Sequence, residues 1–311
     1  MTMDNPMMLD ALEPRRLLAG TVTVTTSYGS NPQTIVKGDA AANAILVRSV
    51  FDNWIEQEDS YEYLAVYGSR LIANGVEIRK GHSDLYTGEL SEYDVYREEN
   101  GDGTTFNVVG SLAFDLGDGD DVLRLDGDQD NAFDNVVVYA GRGNDRVTAD
   151  GGFASLLIDS GEGDDRVSVI GRDGGNPVFG VNPGGVVGDL NIATGQGKDR
   201  ISLLGNDYGD KEDLLEIGGR LRIGDNAGAT QVNMNNVRVR RAATVALGRS
   251  NDTIRLANTV FRGETRFLTR EGNDIVRFSG NVVVPNITTA LQLGPGGDVF
   301  DAERFYADFI G

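Results

Sequence analysis

Gly117-Asp118-Gly119-Asp120-Asp121-Val122-Leu123-Arg124-Leu125 is the stretch that decides the fold, because it returns with variations down the rest of the chain. Residues 141–147, 161–167 and 195–201 repeat it with both glycines in place. Residues 248–254 lack the second glycine, residues 270–276 lack the first, and residues 294–300 close the series. The shared form is G-x-G-x-D-x-U, with U apolar. Its closing Asp falls at positions 121, 145, 165, 199, 252, 274 and 298, in steps of 24, 20, 34, 53, 22 and 24. Self-similarity at a fixed period of this size is the signature of stacked repeats.

The residues after each Asp alternate with period two, which in a strand sends neighbours to opposite faces. The U column reads Leu123, Val147, Val167, Ile201, Ile254, Val276 and Phe300, and the U+2 column reads Leu125, Ala149, Val169, Leu203, Leu256, Phe278 and Ala302. Between them stand Arg124, Thr148, Ser168, Ser202, Arg255, Arg277 and Asp301, all polar. An inside and an outside are therefore written once per repeat, and no helical period competes. This predicts an all-β chain, a right-handed parallel β-helix (β-solenoid) with three short strands per coil and coils of about 22–24 residues. The step of 53 reads as two coils around a decayed turn near residues 224–228, and the step of 34 as a coil with a loop inserted near residues 171–177.

Ahead of the regular repeats, Thr21-Val22-Thr23-Val24-Thr25-Thr26 is β-branched and reads as a strand. Residues 35–47 read as a worn copy whose acidic position has become Asn or Ala. Tyr67-Gly68-Ser69 between two apolar runs reads as a hairpin turn, and Asn100-Gly101-Asp102-Gly103 as another turn. The expected organisation is thus a segment 1–20, irregular coils with an inserted loop or hairpin over 21–110, and the solenoid over 111–311. Trp54 reads as a packing residue, His82 as exposed loop, and the aromatic tail 305–310 as a cover for the last coil.

Composition narrows the function. The 42 glycines sit in the repeats and signal tight turns, not low complexity. Lys and Arg total 28 against 48 Asp and Glu, a net charge of −20. Such a surface disfavours nucleic acid and anionic lipid and favours cations. There is no cysteine and one histidine, which removes disulfides, thiol catalysis and His- or Cys-based zinc sites. No apolar run is long enough for a transmembrane helix.

Two resemblances add expectations. Leu12-Glu13-Pro14-Arg15-Arg16-Leu17-Leu18 resembles the LEPR-XLL segment found near the N-terminus of many planctomycete proteins with long repeat regions. That resemblance implies sorting to the extracellular space or cell surface. Read from its residues alone, the segment is a short capping helix started by Pro14. The repeat itself is similar to the calcium-binding G-G-x-G-x-D-x-U-x motif of RTX β-helices. It departs from that motif in having no Gly before the first glycine, and one motif per coil. Calcium takes six to eight hard oxygens, which stacked Asp turns supply in part. The metal candidates are Asp118, Asp120, Asp121, Asp145, Asp164, Asp165 and Asp199, led by the first full copy, with weaker binding expected at Asp252 and Asp274. Two other uses of the Asp stay open. Each side chain can bond N–H groups of its own turn, or Arg146, Arg166 and Arg200 can neutralise the carboxylates.

Carboxylates recur in nearly every turn, so no pair stands out as catalytic, and no nucleophile–base pair or phosphate loop is visible. The basic cluster Arg238, Arg240 and Arg241 reads as pairing with acidic neighbours. The expectation is a non-enzymatic exported or cell-surface module with a structural, spacer or adhesive role. Its expected partners are calcium, other cell-surface proteins or polysaccharide. The alternative is a carbohydrate-active β-helix enzyme, a polysaccharide lyase or hydrolase.

Overall fold

The computed structural model describes residues 22–27, 33–52, 66–73, 76–79, 94–96, 111–127, 133–171, 185–205, 214–303 and 305–306. The LEPR-XLL-like segment, Trp54, His82, the turn at 100–103, the loop 172–184 and residues 307–310 lie outside them. Among the described residues the strands form three sheets of 10, 12 and 5 members, and the one helix is Ile287–Ala290.

The chain is a parallel β-solenoid. In the largest sheet, Ala44–Asp52, Val122–Asp126, Arg146–Asp150, Arg166–Gly171, Arg200–Gly205, Gln231–Asn235, Thr253–Ala257, Ile275–Ser279 and Val299–Ala302 stack in parallel. The register matches the repeat, with Val147 opposite Leu123, Val167 opposite Val147 and Ile201 opposite Val167. The U and U+2 columns are buried in one continuous apolar core from Ile45 and Val47 to Val276 and Phe278. Phe300 continues the U column at the C-terminal end and is 44% exposed. Its ring meets Phe278 edge-on at 5.2 Å between centroids.

The second sheet carries the strands that lead into each turn, among them Ser111–Asp115, Phe133–Tyr139, Phe153–Asp159, Leu190–Gly197 and Leu221–Gly228. The third sheet begins at Leu215–Ile217 and runs through Val237–Val239, Val260–Phe261, Val282–Val283 and Phe305–Tyr306. Three strands per coil therefore holds for the C-terminal coils. In the 20-residue coil that closes at Asp165, the buried glycines Gly151 and Gly152 join Arg146–Asp150 to Phe153–Asp159 without a third strand.

Two sequence expectations change, and the worn copy at residues 35–47 is found as read. The decayed turn does divide the long step, but into coils of 31 and 22 residues, so coil length is less uniform than the motif suggests. The worn copy is the first coil, because Gln33–Lys37 stacks on Ser111–Asp115 and Ala44–Asp52 on Val122–Asp126. The solenoid thus starts before residue 111, and the intervening chain is an excursion from it. Within that excursion Tyr67-Gly68-Ser69 makes no turn. Val66–Ala73 is one strand antiparallel to Ala44–Asp52, and the reversal comes before Val76–Arg79.

The glycines of the motif stack over each other. Gly143 has φ +142°, and a Cβ placed on it would collide with the carbonyl of Gly119 in the coil before. Gly224, by contrast, has open space where a Cβ would go. Gly143→Ala should lower the free energy of unfolding by about 3 kcal/mol, from backbone strain and the collision together. Gly224→Ala should stay within about 0.5 kcal/mol of the parent. Urea unfolding followed by circular dichroism measures both.

Candidate functional site

The turns are the chemically richest part of the molecule, and alternation splits their carboxylates into two sets. Asp118, Asp120 and Asp164 are exposed. Asp121, Asp145, Asp165 and Asp199 are turned inward and are 1%, 2%, 1% and 2% exposed. Asp252 and Asp274 join the inner set at 1% each. The three carboxylates of the first full copy, Asp118, Asp120 and Asp121, therefore do not converge on one point.

The inner carboxylates form a ladder along the axis. Each Oδ1 accepts the backbone N–H one coil earlier: Asp121 from Asn43 at 2.6 Å, Asp145 from Asp121 at 2.8 Å, Asp165 from Asp145 at 2.8 Å and Asp199 from Asp165 at 3.0 Å. The pattern resumes with Asp252 accepting from Thr230 at 2.8 Å, Asp274 from Asp252 at 2.8 Å and Asp298 from Asp274 at 3.0 Å. The loss of one glycine in two of these copies does not disturb it. A second ladder runs outside in the opposite sense. Asp120 Oδ1 accepts from Asn144 N–H, Asn144 from Asp164 and Asp164 from Lys198, at 2.8, 2.9 and 2.8 Å. Asn251 and Asn273 repeat it further on.

The bond to the Asp's own turn, expected from the sequence, is thus replaced by a bond to the neighbouring coil. It survives where the motif has decayed: Asp39 accepts from Ala41 N–H and Asp225 from Ala227 N–H, both at 3.0 Å. Asp225 is buried at the point where Thr230 stands in place of the ladder Asp, and its Oδ2 accepts from Thr230 Oγ1 at 2.9 Å. Sequence reading passed over Asp225 because it sits ahead of the motif position. The outer ladder was visible as a run of Asp or Asn immediately before the closing Asp. Arg146, Arg166 and Arg200 do not neutralise the inner carboxylates. They follow the buried Asp by one residue, point to solvent, and make no ion pair with a described residue. Of the basic cluster, Arg240 pairs with Glu216 at 2.5 Å as expected.

Oδ2 of Asp121, Asp145, Asp165, Asp199, Asp252 and Asp274 is buried and has no hydrogen-bond partner. Loss of hydration raises Asp121 and Asp199 to about 6, and Asp145 and Asp252 to about 7. Asp165 is raised as well. The accepted N–H bonds pull the values back, and neighbouring carboxylates of the column push them up again. The hydroxyls of Ser160 and Thr194 lie beside Asp165 and Asp199 and lower them somewhat, without closing a well-aligned bond.

Each inner Oδ1 accepts an N–H, and the turn carbonyls of Gly117, Gly141, Arg142 and Glu162 accept backbone N–H groups of adjacent coils. The oxygens without a hydrogen bond on the inner side are the Oδ2 atoms of the buried Asp residues, and calcium takes six to eight oxygens. Among the described residues no group of three or more His, Cys, Asp or Glu side chains is placed to hold a metal.

Compared with protein-family models, curated proteins and solved structures, the chain matches none. Its function is therefore argued from geometry.

The raised acids set a pH dependence. An Asp whose folded pKa lies above its unfolded value binds its proton more tightly in the native state, so its stabilising effect is complete below about pH 4 and is lost as pH rises through 6 to 7. The melting temperature should rise as the pH falls from 8 to 5. Asp145→Asn keeps the acceptor and removes the charge, so it should flatten part of that dependence. Asp145→Ala leaves the Asp121 N–H without its acceptor and should cost about 1–3 kcal/mol at pH 5. Calorimetric melting across this pH range measures all three.

Proposed function

We propose that the chain is a non-enzymatic, exported structural module, a stiff acidic solenoid that spaces or attaches components at the cell surface. The observation that carries this reading is the ladder itself. The carboxylates richest in number and most perturbed in acidity are consumed in holding coil to coil, and their free oxygens are shut off from solvent. A glycosidase or lyase needs carboxyl groups that reach a substrate from two sides of a groove. The placement outside the cytoplasm rests on the LEPR-XLL-like segment at 12–18. No described helix is long and apolar enough to cross a membrane.

In this reading the turns hold together through the N–H bonds that each inner Oδ1 accepts, without calcium. The melting temperature of the purified chain should be the same in calcium and in chelator. A ligand at a hundredfold excess over its Kd would instead add about 2.7 kcal/mol per site, so a calcium-dependent rise would restore the RTX-like reading. Deleting residues 12–18 should leave the protein inside the cell, as followed by fractionation, and unchanged export would remove the surface assignment. Incubation with acidic and neutral polysaccharides should release no new reducing ends or unsaturated products. Cleavage would establish the carbohydrate-active alternative.

A further inference from the structure

The 31-residue coil that interrupts both ladders also opens the surface. Its turn, Asp225-Asn226-Ala227-Gly228-Ala229-Thr230, lies in register with Thr194-Gly195-Gln196-Gly197-Lys198-Asp199. Ala229 therefore occupies the outer column held by Asp164 and Lys198 in the coils before it and by Asn251 in the coil after. A missing side chain in a continuous column leaves a gap, and a cleft of about 290 Å³ lies there. Arg166, Lys198, Arg200, Gln231, Asn251 and Thr253 line it.

Three arginines stack beside the gap. Arg146, Arg166 and Arg200 are in register in successive coils. Strands in a sheet lie about 4.8 Å apart, so this is a column of like charges at close range, which repels itself. Several arginines elsewhere have acidic partners: Arg142 has Glu162 at 3.5 Å, Arg222 has Asp189 at 4.0 Å and Arg266 has Glu264 at 2.6 Å. The three stacked arginines have none among the described residues. Arg200 Nε donates to Gln231 Oε1 at 3.3 Å, which fixes its guanidinium over the cleft. Facing these cations are the exposed Asp164, whose Oδ1 is held by Lys198 N–H, and the buried Asp165 and Asp199 beneath. Beside the arginine column runs a row of short polar side chains in the same register, Thr148, Ser168, Ser202 and Asn233. They form a low floor of hydroxyl and amide groups parallel to the axis.

We propose that this column and cleft bind a linear uronate-containing glycan lying along the solenoid axis. Carboxylates on successive sugars would meet Arg146, Arg166 and Arg200, and sugar hydroxyls would meet the polar row. Arginine forks match carboxylates in a bidentate way. No aromatic side chain stands in the arginine column or the polar row, so a nucleic-acid strand would find nothing for its bases to stack on. The proposal deepens the adhesive reading above, and it is tested on the purified full chain. A failure of export would leave it standing, and a failure of binding would leave a purely structural module.

The experiment is calorimetric titration at low salt with short oligogalacturonate and oligomannuronate, each beside its methyl ester, and with a single-stranded oligodeoxynucleotide of equal charge. The expected result is binding of at least one uronate oligomer and of neither ester. Arg166→Gln and Arg200→Gln should each weaken it roughly tenfold or more, the scale of one lost charge-assisted bond. Arg222→Gln, on another sheet, should leave it unchanged. Ala229→Asn restores the interrupted column, and it should fill the cleft and weaken binding while the melting temperature holds. Absence of binding by both uronates would overturn the proposal. So would equal binding of the esters, tighter binding of the oligodeoxynucleotide, or affinity indifferent to Arg166→Gln and Arg200→Gln in variants with parental circular dichroism.

Discussion

The structure depends on one hydrogen bond repeated from coil to coil: a carboxylate oxygen of one turn accepting the backbone N–H of the turn before. Through the turns the backbone ladder continues only in part, and the N–H groups it leaves over are still removed from water. A buried N–H without a partner costs about as much as one or two ordinary hydrogen bonds contribute. Asp121, Asp145, Asp165, Asp252 and Asp274 each have the reach to close that gap. The stacked glycines bring the turns close enough for the bond to form, since Gly143 and Gly163 leave no room for a Cβ. Motif and ladder are two descriptions of one constraint: glycine sets the spacing, and Asp uses it.

Using a carboxylate for this task has a cost that an amide would avoid. The second oxygen of each inner Asp is buried and unpartnered, so Asp121, Asp145, Asp165, Asp199 and Asp252 hold their acidic protons to higher pH than a free carboxyl does. The outer ladder meets the same geometric demand with Asn144, Asn251 and Asn273 as readily as with Asp120 and Asp164. There solvent reaches the spare oxygen, and charge is of little consequence. In a quasi-one-dimensional fold each junction is a nearest-neighbour term. The coil around Asp225 is the place where both ladders stop, and there Asp199 N–H turns to the carbonyl of Ala229.

Much of this is legible in the sequence, and the unread part has a physical reason. Columns such as Leu123, Val147 and Val167 announce themselves because alternation in a strand is a local property, repeated without interference. The first coil was also legible as a worn motif, since Ile35, Val36, Ile45 and Val47 keep the pattern after the Asp has gone. The partner of each Asp was not. Own-turn and next-coil N–H groups look identical along the chain, and which is nearer depends on how closely the turns stack. The span of Val66–Ala73 was misread because Gly68 carries a turn signal that the edge of a sheet overrides. The cleft at Ala229 could not be read at all. It is an absence, and it takes meaning from side chains in the coils on either side.

The direction of the inner ladder has a consequence for how the chain comes into being. The acceptor always belongs to the later coil, so a growing chain displays a coil whose N–H waits for residues not yet made. Each new coil completes its predecessor and leaves its own turn waiting in the same way. At synthesis rates of about 5–20 residues per second, a coil of 22 residues is delivered in roughly one to four seconds. That is ample time for local strands to pair. Assembly can therefore keep pace with synthesis, advancing from the N-terminal end like a zip whose teeth arrive one at a time.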